Sequence, residues 1–493
     1  MAVDTKHKEF NKWEKHWNKA TDIYEGDDAM KAKSYTYLPK LSGQSNDEYL
    51  AYLNRGVFYN ASARTVDGLT GAIMRKDPVI EVPTQMEDFL YNCTASGYYI
   101  VDVIVEIVKS ILKYGRCGLL ADFSSGIEMA PYFSIYSPEN IINWKTRLID
   151  GGQKLSLLVL RETDDVENEA DQFASEEKEI LKVLYLDESG KLVLNQYERV
   201  TSAEKAEDVW NKVANERGET DIFPSVKGNR LEYIPFSFFG AVVNSVQPSK
   251  PPLLDLFDLN LYHWKLTADY AHGLHYCALP TLYLLGFDNK TKIAIGPGRA
   301  IISENPDAKV GMLEFTGQGL SPIEAALESI ETRMAILGAR LLEEQKADAE
   351  AFATVKLRSS GDSATLSSVV GSTESGLEKA LGYVAEWMGL SSDDISVTLN
   401  RDFEASKLSP QEITALLQAY QSGSISRYTF LYNLAQGERL PKDDTIEDEM
   451  DRIDLDKANV IMPEEPEEDE EPEEDEEPEE DEEPEEDEGE STP

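Results

Sequence analysis

Five histidines, three cysteines and a large surplus of carboxylates are the side chains of this chain that could carry chemistry. His272 and His275 sit three apart, His263 lies nine before His272, and Asp269 falls between them. Imidazoles and a carboxylate at such steps on a helix can hold zinc, so a His/His/Asp site is conceivable. The same residues serve equally as surface or intersubunit packing groups. Asp122 follows Leu119-Leu120-Ala121, where α/β enzymes place a catalytic acid, but the sequence shows no base or metal partner for it. Cys93, Cys117 and Cys277 have neither C-x-x-C nor metal-ligand spacing, which fits a reducing compartment and a buried structural role. No G-x-x-x-x-G-K-[ST], G-x-S-x-G or H-E-x-x-H occurs, so nothing here cradles a nucleotide triphosphate, builds a nucleophile elbow or makes a zinc-protease helix. Gly296-Pro297-Gly298-Arg299 is a turn with no helix behind it to receive a phosphate. An enzyme is not supported.

Charge is the next filter. The net charge is −46; residues 461–493 hold 22 acids and no Lys or Arg, so residues 1–460 carry −24. A body this acidic is a poor nucleic-acid binder, but it suits a wall that DNA passes without adhering. Local bases stand out against it. Lys290, Lys292, Arg299 and Lys309 fall in one short region, and Lys346, Lys356 and Arg358 flank or lie in a polar one. They could touch phosphates in passing, or be ordinary solvated charges. Residues 461–493 repeat proline every six residues with acids between, a composition that cannot form a core. Their role stays open. The N-terminus carries no basic-then-apolar leader and no apolar run reaches the roughly 20 residues that span a bilayer, so neither secretion nor a membrane is expected.

The elements that would position these groups centre on Lys250–Gly389. A helix from Pro252 to about Tyr276 feeds a β-rich insert, Leu279 to about Phe315. A second helix, Ser321 to about Gln345, can then run back antiparallel to the first. Its start reads as a capping box, Ser321-Pro322-Ile323-Glu324. Behind it Ile323, Leu327, Ile330, Met334, Leu337 and Leu341 recur at steps of four and three, the narrow seam by which helices pack on helices. Such a hairpin can project a small β module from a body. Lys346–Asp362 is polar with no strong period and reads as a loop; Asp362–Gly389 resumes as helix, and Ile395–Leu399 is a strand.

Upstream, Leu50–Met74 suits one helix ending before Pro78, with a short strand at Val79–Val82. Tyr99–Tyr114 is an amphipathic helix stopped by Gly115. Arg116–Asp122, Tyr132–Tyr136, Leu155–Arg161 and Ile180–Leu186 read as strands. Glu188–Asn229 is polar and weakly patterned, and Leu231–Phe239, interrupted by Pro235, suits an edge or bulged strand. Ser409-Pro410-Gln411-Glu412 opens a C-terminal helical part, with further helices after Ser426 and Thr445. The class is α+β.

Several stretches, in this order, resemble the portal proteins of tailed bacteriophages: GLTGAIMRKDPVIEVP (68–83), ILKYGRCGLLADF (111–123), PYFSIYSPENIINW (131–144) and LEYIPFSFFG (231–240). Above all there are PPLLDLFDLNLYHWKLTADYAHGLHYCALPTLYLLG (251–286), MLEFTGQGLSPIEAALESIETRMAILGARLL (312–342) and LLQAYQSGSISRYTFLYNL (416–434). The resemblance implies a ring, dodecameric in the family, of wing/stem/clip/crown architecture with long stem helices. It would divide this chain into a wing (1–250), stem helix (251–277), clip (278–318), stem helix (319–345), tunnel loop (346–361), wing long helix and strand (362–405), crown (406–460) and disordered acidic tail (461–493). It implies no catalysis and no cofactor. It makes Lys346, Lys356 and Arg358 the tunnel groups facing DNA, Lys290, Lys292, Arg299 and Lys309 the clip surface, and the seam Ile323, Leu327, Ile330, Met334, Leu337 and Leu341 the packing of the stem and of neighbouring subunits. The implied partners are further copies of the chain, the terminase large subunit, capsid and scaffolding proteins, head-completion and tail connectors, and double-stranded DNA crossing the channel. The implied place is the capsid portal vertex, and the host cytoplasm during assembly. A non-catalytic acidic scaffold or DNA-mimic binding module is the contrasting reading; a packaging nuclease or ATPase would need motifs that are missing.

Overall fold

The computed structural model describes residues 2–123, 130–149, 151–168, 171–201, 208–214, 218–279, 281–287, 301–313, 317–338, 352–403, 410–436, 439–440 and 445–461. The chain divides into two compact units, Met1–Glu404 and Ala405–Pro493.

The first unit begins with four helices: α1 (Lys8–Glu25), α2 (Asp27–Lys33), α3 (Asn46–Arg55) and α4 (Ala61–Ile73). Leu50–Met74 is thus two helices, not one. The Gly56 N–H closes α3 on the Tyr52 carbonyl, and the Asn60 side chain caps α4 by accepting from the Ala63 N–H. A polar cap inside an apolar pattern ended one helix and started another. Strand β1 (Val79–Glu81) and the single turn α5 (Glu87–Leu90) lead to α6 (Ile100–Tyr114). Val103, Ile104, Ile107, Val108 and Ile111 of α6 are fully buried, as one apolar stripe against a core should be. Gly115 ends α6 with φ 69°, and a Cβ there would lie 3.0 Å from the backbone of Lys250 and Pro251. Only glycine meets both demands.

Strands β2 (Arg116–Phe123) and β3 (Pro131–Tyr136) follow, then β4 (Ile141–Ile149), β5 (Gly152–Asn168), β6 (Asp171–Leu186), β7 (Leu192–Thr201) and β8 (Asp208–Val213). The last five form one antiparallel sheet in sequence order. Two of its strands, β7 and β8, lie in the stretch expected to be unpatterned, and β5 and β6 are far longer than their apolar cores. The hairpin β9 (Ser225–Val226) and β10 (Asn229–Arg230) turns on Lys227 and Gly228, with φ 49° and 82°, the mirror-image turn favoured between twisted strands. Strand β11 (Phe236–Gly240) starts one residue after Pro235 and pairs with β2, giving the three-stranded order β11-β2-β3. Proline therefore precedes an edge strand rather than interrupting one.

The remaining elements of this unit are α7 (Leu254–Ala278), β12 (Thr281–Leu285), β13 (Lys309–Leu313), α8 (Leu320–Leu337), α9 (Phe352–Met388) and β14 (Ser396–Thr398), which pairs antiparallel with β1. The core joins α1, α4, α6 and α9 to the three-stranded sheet, with Trp17, Phe239 and Leu377 fully buried. The mixture is α+β.

The second unit holds α10 (Pro410–Gln421), α11 (Arg427–Gln436) and α12 (Ile446–Ile461). Gly423, at φ 73°, turns the chain after α10, and the Ser426 hydroxyl accepts from the Thr429 N–H at the start of α11. Tyr420 stacks on Phe430 at 5.2 Å, and Arg427 of α11 donates to Asp454 and to the Met450 carbonyl of α12. Ser409 of the expected capping box, and residues 462–493, lie outside the described residues.

Candidate functional site: the α7–α8 hairpin

The hairpin is built from its root. Asn260 of α7 is fully buried and has every polar atom used: its Oδ1 accepts from the Ser62 N–H and hydroxyl, and its Nδ2 donates to the Tyr59 carbonyl. That trio ties α7 to the first turn of α4, and a buried amide so satisfied fixes one register. Trp264 and Ala268 continue the buried face, and Ala268 sits where a Cβ on Gly56 would be 3.0 Å away. Tyr52 of α3 donates its hydroxyl to Asp269 at 2.6 Å, and Lys19 of α1 pairs with Asp258.

Helix α8 returns antiparallel to α7. His263 Nε2 lies 3.1 Å from Glu331 Oε1 near the root, while a Cβ on Gly273 would meet Leu320 near the far end. At the root end, Gly338 rests against α4, where a Cβ would lie 2.3 Å from Thr65 Cγ2. Between the helices β12 and β13 pair antiparallel, the Tyr283 ring covering its cross-strand partner Gly311.

The imidazoles are occupied by packing rather than gathered for a metal. His263 is 4% exposed and faces Glu331. His272 packs edge-on to Tyr52 at 5.2 Å and shares a 3.3 Å contact with Arg55 Nη1. Burial and then the Arg55 charge hold the His272 pKa below its ordinary value. Asp269 is taken by Tyr52. No cluster of three potential metal ligands occurs among the described residues.

The seam helix differs from its sequence reading in two respects. It starts at Leu320, capped by Gly319 without any side-chain bond, so the Ser321/Glu324 capping box does not form. The turn before it, with Gly317 at φ 65° and the Leu320 N–H bonded to the Gly317 carbonyl, already supplies the helix start. Along the seam, Ile330 and Met334 are buried, Ile323 and Leu327 are half-buried, and Leu337 is 44% exposed. Leu341 lies outside the described residues.

Helix α9 begins at Phe352, so the expected loop is helical over most of its length and Lys356 and Arg358 lie in the helix's first turns. AFATVKLR is made largely of good helix formers. A missing apolar period does not exclude a helix; propensity alone supports one here. Lys346, Lys290, Lys292 and Arg299 fall outside the described residues; Lys309 opens β13, opposite Leu285, and is exposed.

The apolar side chains of the insert are the notable surface. Leu279, Leu285, Met312 and Leu313 are 50–58% exposed, and Tyr283 and Val310 are exposed too. Strand neighbours Met312 and Leu313 point to opposite faces, so both faces of the ribbon present apolar groups. On α7, Tyr262, Leu274 and Tyr276 are likewise exposed.

Residues 252–388, which are the hairpin with all of α9, match the model of a family described as a domain of unknown function, DUF4055. No curated protein matches the chain. Among solved structures, the chain is similar to one in the virion of a native gene transfer agent particle, at 11% identity, covering 82% of this chain and 98% of that one with a TM-score of 0.38. It is also similar to chains from the neck of such particles. For the empty particle computed with C6 symmetry, identity is 11%, coverage 83% and 97%, TM-score 0.35. For the native particle computed with C12 symmetry they are 12%, 82% and 98%, and 0.34.

One buried group escaped the sequence reading. Asp122 does have a partner: Lys182 Nζ lies 2.8 Å from its Oδ2 and 2.9 Å from Glu162 Oε1. Tyr132 donates to the same Asp122 oxygen at 3.3 Å and Tyr136 to the same Glu162 oxygen. The cluster joins β2 and β3 to β5 and β6. A lysine in the middle of the apolar run Ile180–Leu186 was the available signal. Cys93 and Cys117 are buried, and burial pushes both thiols up to about 12, which suppresses the reactive thiolate; Cys277 is only half-buried.

Proposed function

We propose that this chain is a portal-type subunit, copies of which form a ring around a channel for double-stranded DNA at one vertex of a phage-like capsid. The reading is structural, without catalysis. The observation that carries it is the antiparallel α7–α8 hairpin bearing a two-stranded ribbon with apolar groups on both faces. A lone two-stranded ribbon is marginal in water, and apolar groups on both of its faces call for neighbours. Copies set side by side in a ring would supply them. The portal-like stretches of sequence, running in order along nearly the whole chain, support the same reading. The acidic body would keep DNA mobile. Lys346, Lys356 and Arg358 are the bases assigned to the DNA side, and Lys290, Lys292, Arg299 and Lys309 to the face that meets terminase and, later, connector proteins. Twelve copies, contacts with capsid and scaffolding proteins, and a place in the virion follow from the family resemblance.

Native mass spectrometry with negative-stain imaging tests it. The expected result is a ring-sized species with a central hole, which Leu337→Asp dissociates into subunits with unchanged circular dichroism. Leu337 suits this because it is exposed in the single chain, whereas Met334→Asp would bury a charge inside the subunit and confuse unfolding with disassembly. Intact rings from Leu337→Asp would refute the contact assigned to α8, and a chain that stays monomeric at all concentrations would remove the ring.

A further inference from the structure

Strands β5 and β6 continue well past the sheet that contains their first halves. Pairing of β4 with β5 ends at Leu160, and pairing of β7 with β6 ends at Ile180. From Thr163 to Asn168 and from Asp171 to Glu179 the two strands pair, among the described residues, only with each other. The result is a two-stranded arm. Its β5 edge offers a row of backbone N–H and C=O groups with no strand beside it among the described residues, which is a template for another strand. Residues 163–179 contain eight acids and one lysine. Near the tip, Phe173 is 90% exposed, the most exposed large apolar side chain among those described.

We propose that this arm docks a partner protein by adding one of its strands, a segment rich in Lys or Arg, along the β5 edge, with Phe173 as an apolar anchor. Charge selects this occupant. The arm of a second copy would bring −7 to −7, and DNA would bring phosphates; both are repelled. A basic strand is attracted, gains main-chain hydrogen bonds and covers the open edge. The inference rests on the arm alone and stands whether or not the chain forms a ring.

The test uses the full-length protein and a peptide of about nine residues alternating Lys and Val, long enough to span the arm. A control peptide alternates Lys and Gly, with equal charge and little strand tendency. Two variants remove the arm's character. One replaces 163–179 by Asn-Gly, which suits a two-residue hairpin because Glu162 and Ile180 are direct partners. The other carries Asp164→Lys, Asp165→Lys and Glu167→Lys, and keeps the arm if the shortened chain does not fold. Expected are binding of the Lys/Val peptide about tenfold tighter to wild type than to either variant, slowed amide exchange at 163–168 on binding, and severalfold weakening by Phe173→Ser. Equal binding to wild type and both variants would assign it to acidity elsewhere, including the tail, and overturn the proposal. Equal binding of the Lys/Gly peptide would exclude strand addition. Fewer copies per assembly on losing the arm, with peptide binding unchanged, would make the occupant a second copy and overturn it too.

Discussion

At the scale of single residues, two buried cations show what the interior demands. Arg116 is 1% exposed and sandwiched between the rings of Trp144 at 4.0 Å and Phe238 at 4.6 Å, with one hydrogen bond from Nη2 to the Val246 carbonyl. Ring quadrupoles stand in for a carboxylate there. Lys182 is handled the other way, with two carboxylates. Burial alone would lower its pKa, but Asp122, Tyr136 and Glu162 outweigh burial and hold it well above its ordinary value. Lys182→Met should cost about 3 kcal/mol in urea unfolding at neutral pH, because it leaves two half-buried acids facing each other without their cation. The folded pKa exceeds the unfolded value of about 10.4, so the ammonium's contribution is complete below that pH and fades as pH rises through the folded value. The stability gap between wild type and Lys182→Met should therefore stay flat to about pH 10 and narrow above it. A gap that widens with alkali would show that the amine is buried neutral.

At the scale of elements, positions that look featureless in sequence decide how helices meet. Gly338 closes α8, and its missing side chain lets the helix end settle on Thr65 of α4, whose hydroxyl is already bonded to the Ala61 carbonyl. Thr65 is β-branched and cannot swing away cheaply. Gly338→Ala should destabilise the subunit by about 1–3 kcal/mol, read from thermal or urea unfolding of the monomer. A neutral result would mean that α8 ends freely rather than resting on α4. The periodic signals were legible: α6, α7 and the strands β2 and β3 follow their apolar patterns to within a residue or two. Strands β7 and β8 were not: β7 starts buried on both faces, from Leu192 to Asn195, and continues mostly polar, and β8 is largely exposed, so neither alternates cleanly. The N-terminal turns of α9 were missed for the related reason that propensity without amphipathicity leaves no period to read.

At the scale of the whole molecule, charge is distributed by segment. The repeat in 461–493 holds 22 of the acids, yet the exposed apolar groups proposed as the contact between copies belong to the α7–α8 hairpin. Deleting 462–493 should leave the number of copies in any assembly unchanged, shifting its native mass only by the residues removed. Loss of assembly on truncation would move the contact to the tail and favour an acidic binding module over a ring. No described helix is long and apolar enough to cross a membrane.

By itself the sequence determined the mixed α+β class, the helix–ribbon–helix order at 251–342, the turns at Gly115 and Gly423, and the absence of nucleotide and hydrolase motifs. These are local properties, set by periodicity, capping chemistry and backbone freedom within a few residues. Only the tertiary structure decided that Asp122 meets Lys182, that Tyr52 occupies Asp269, that Met334 is inside the subunit while Leu337 is outside, and that β5 and β6 outrun their sheet. Each of those depends on which distant segments come within hydrogen-bond or van der Waals reach. That distance is fixed by packing across 60 to 217 positions of chain, where no local pattern carries the information.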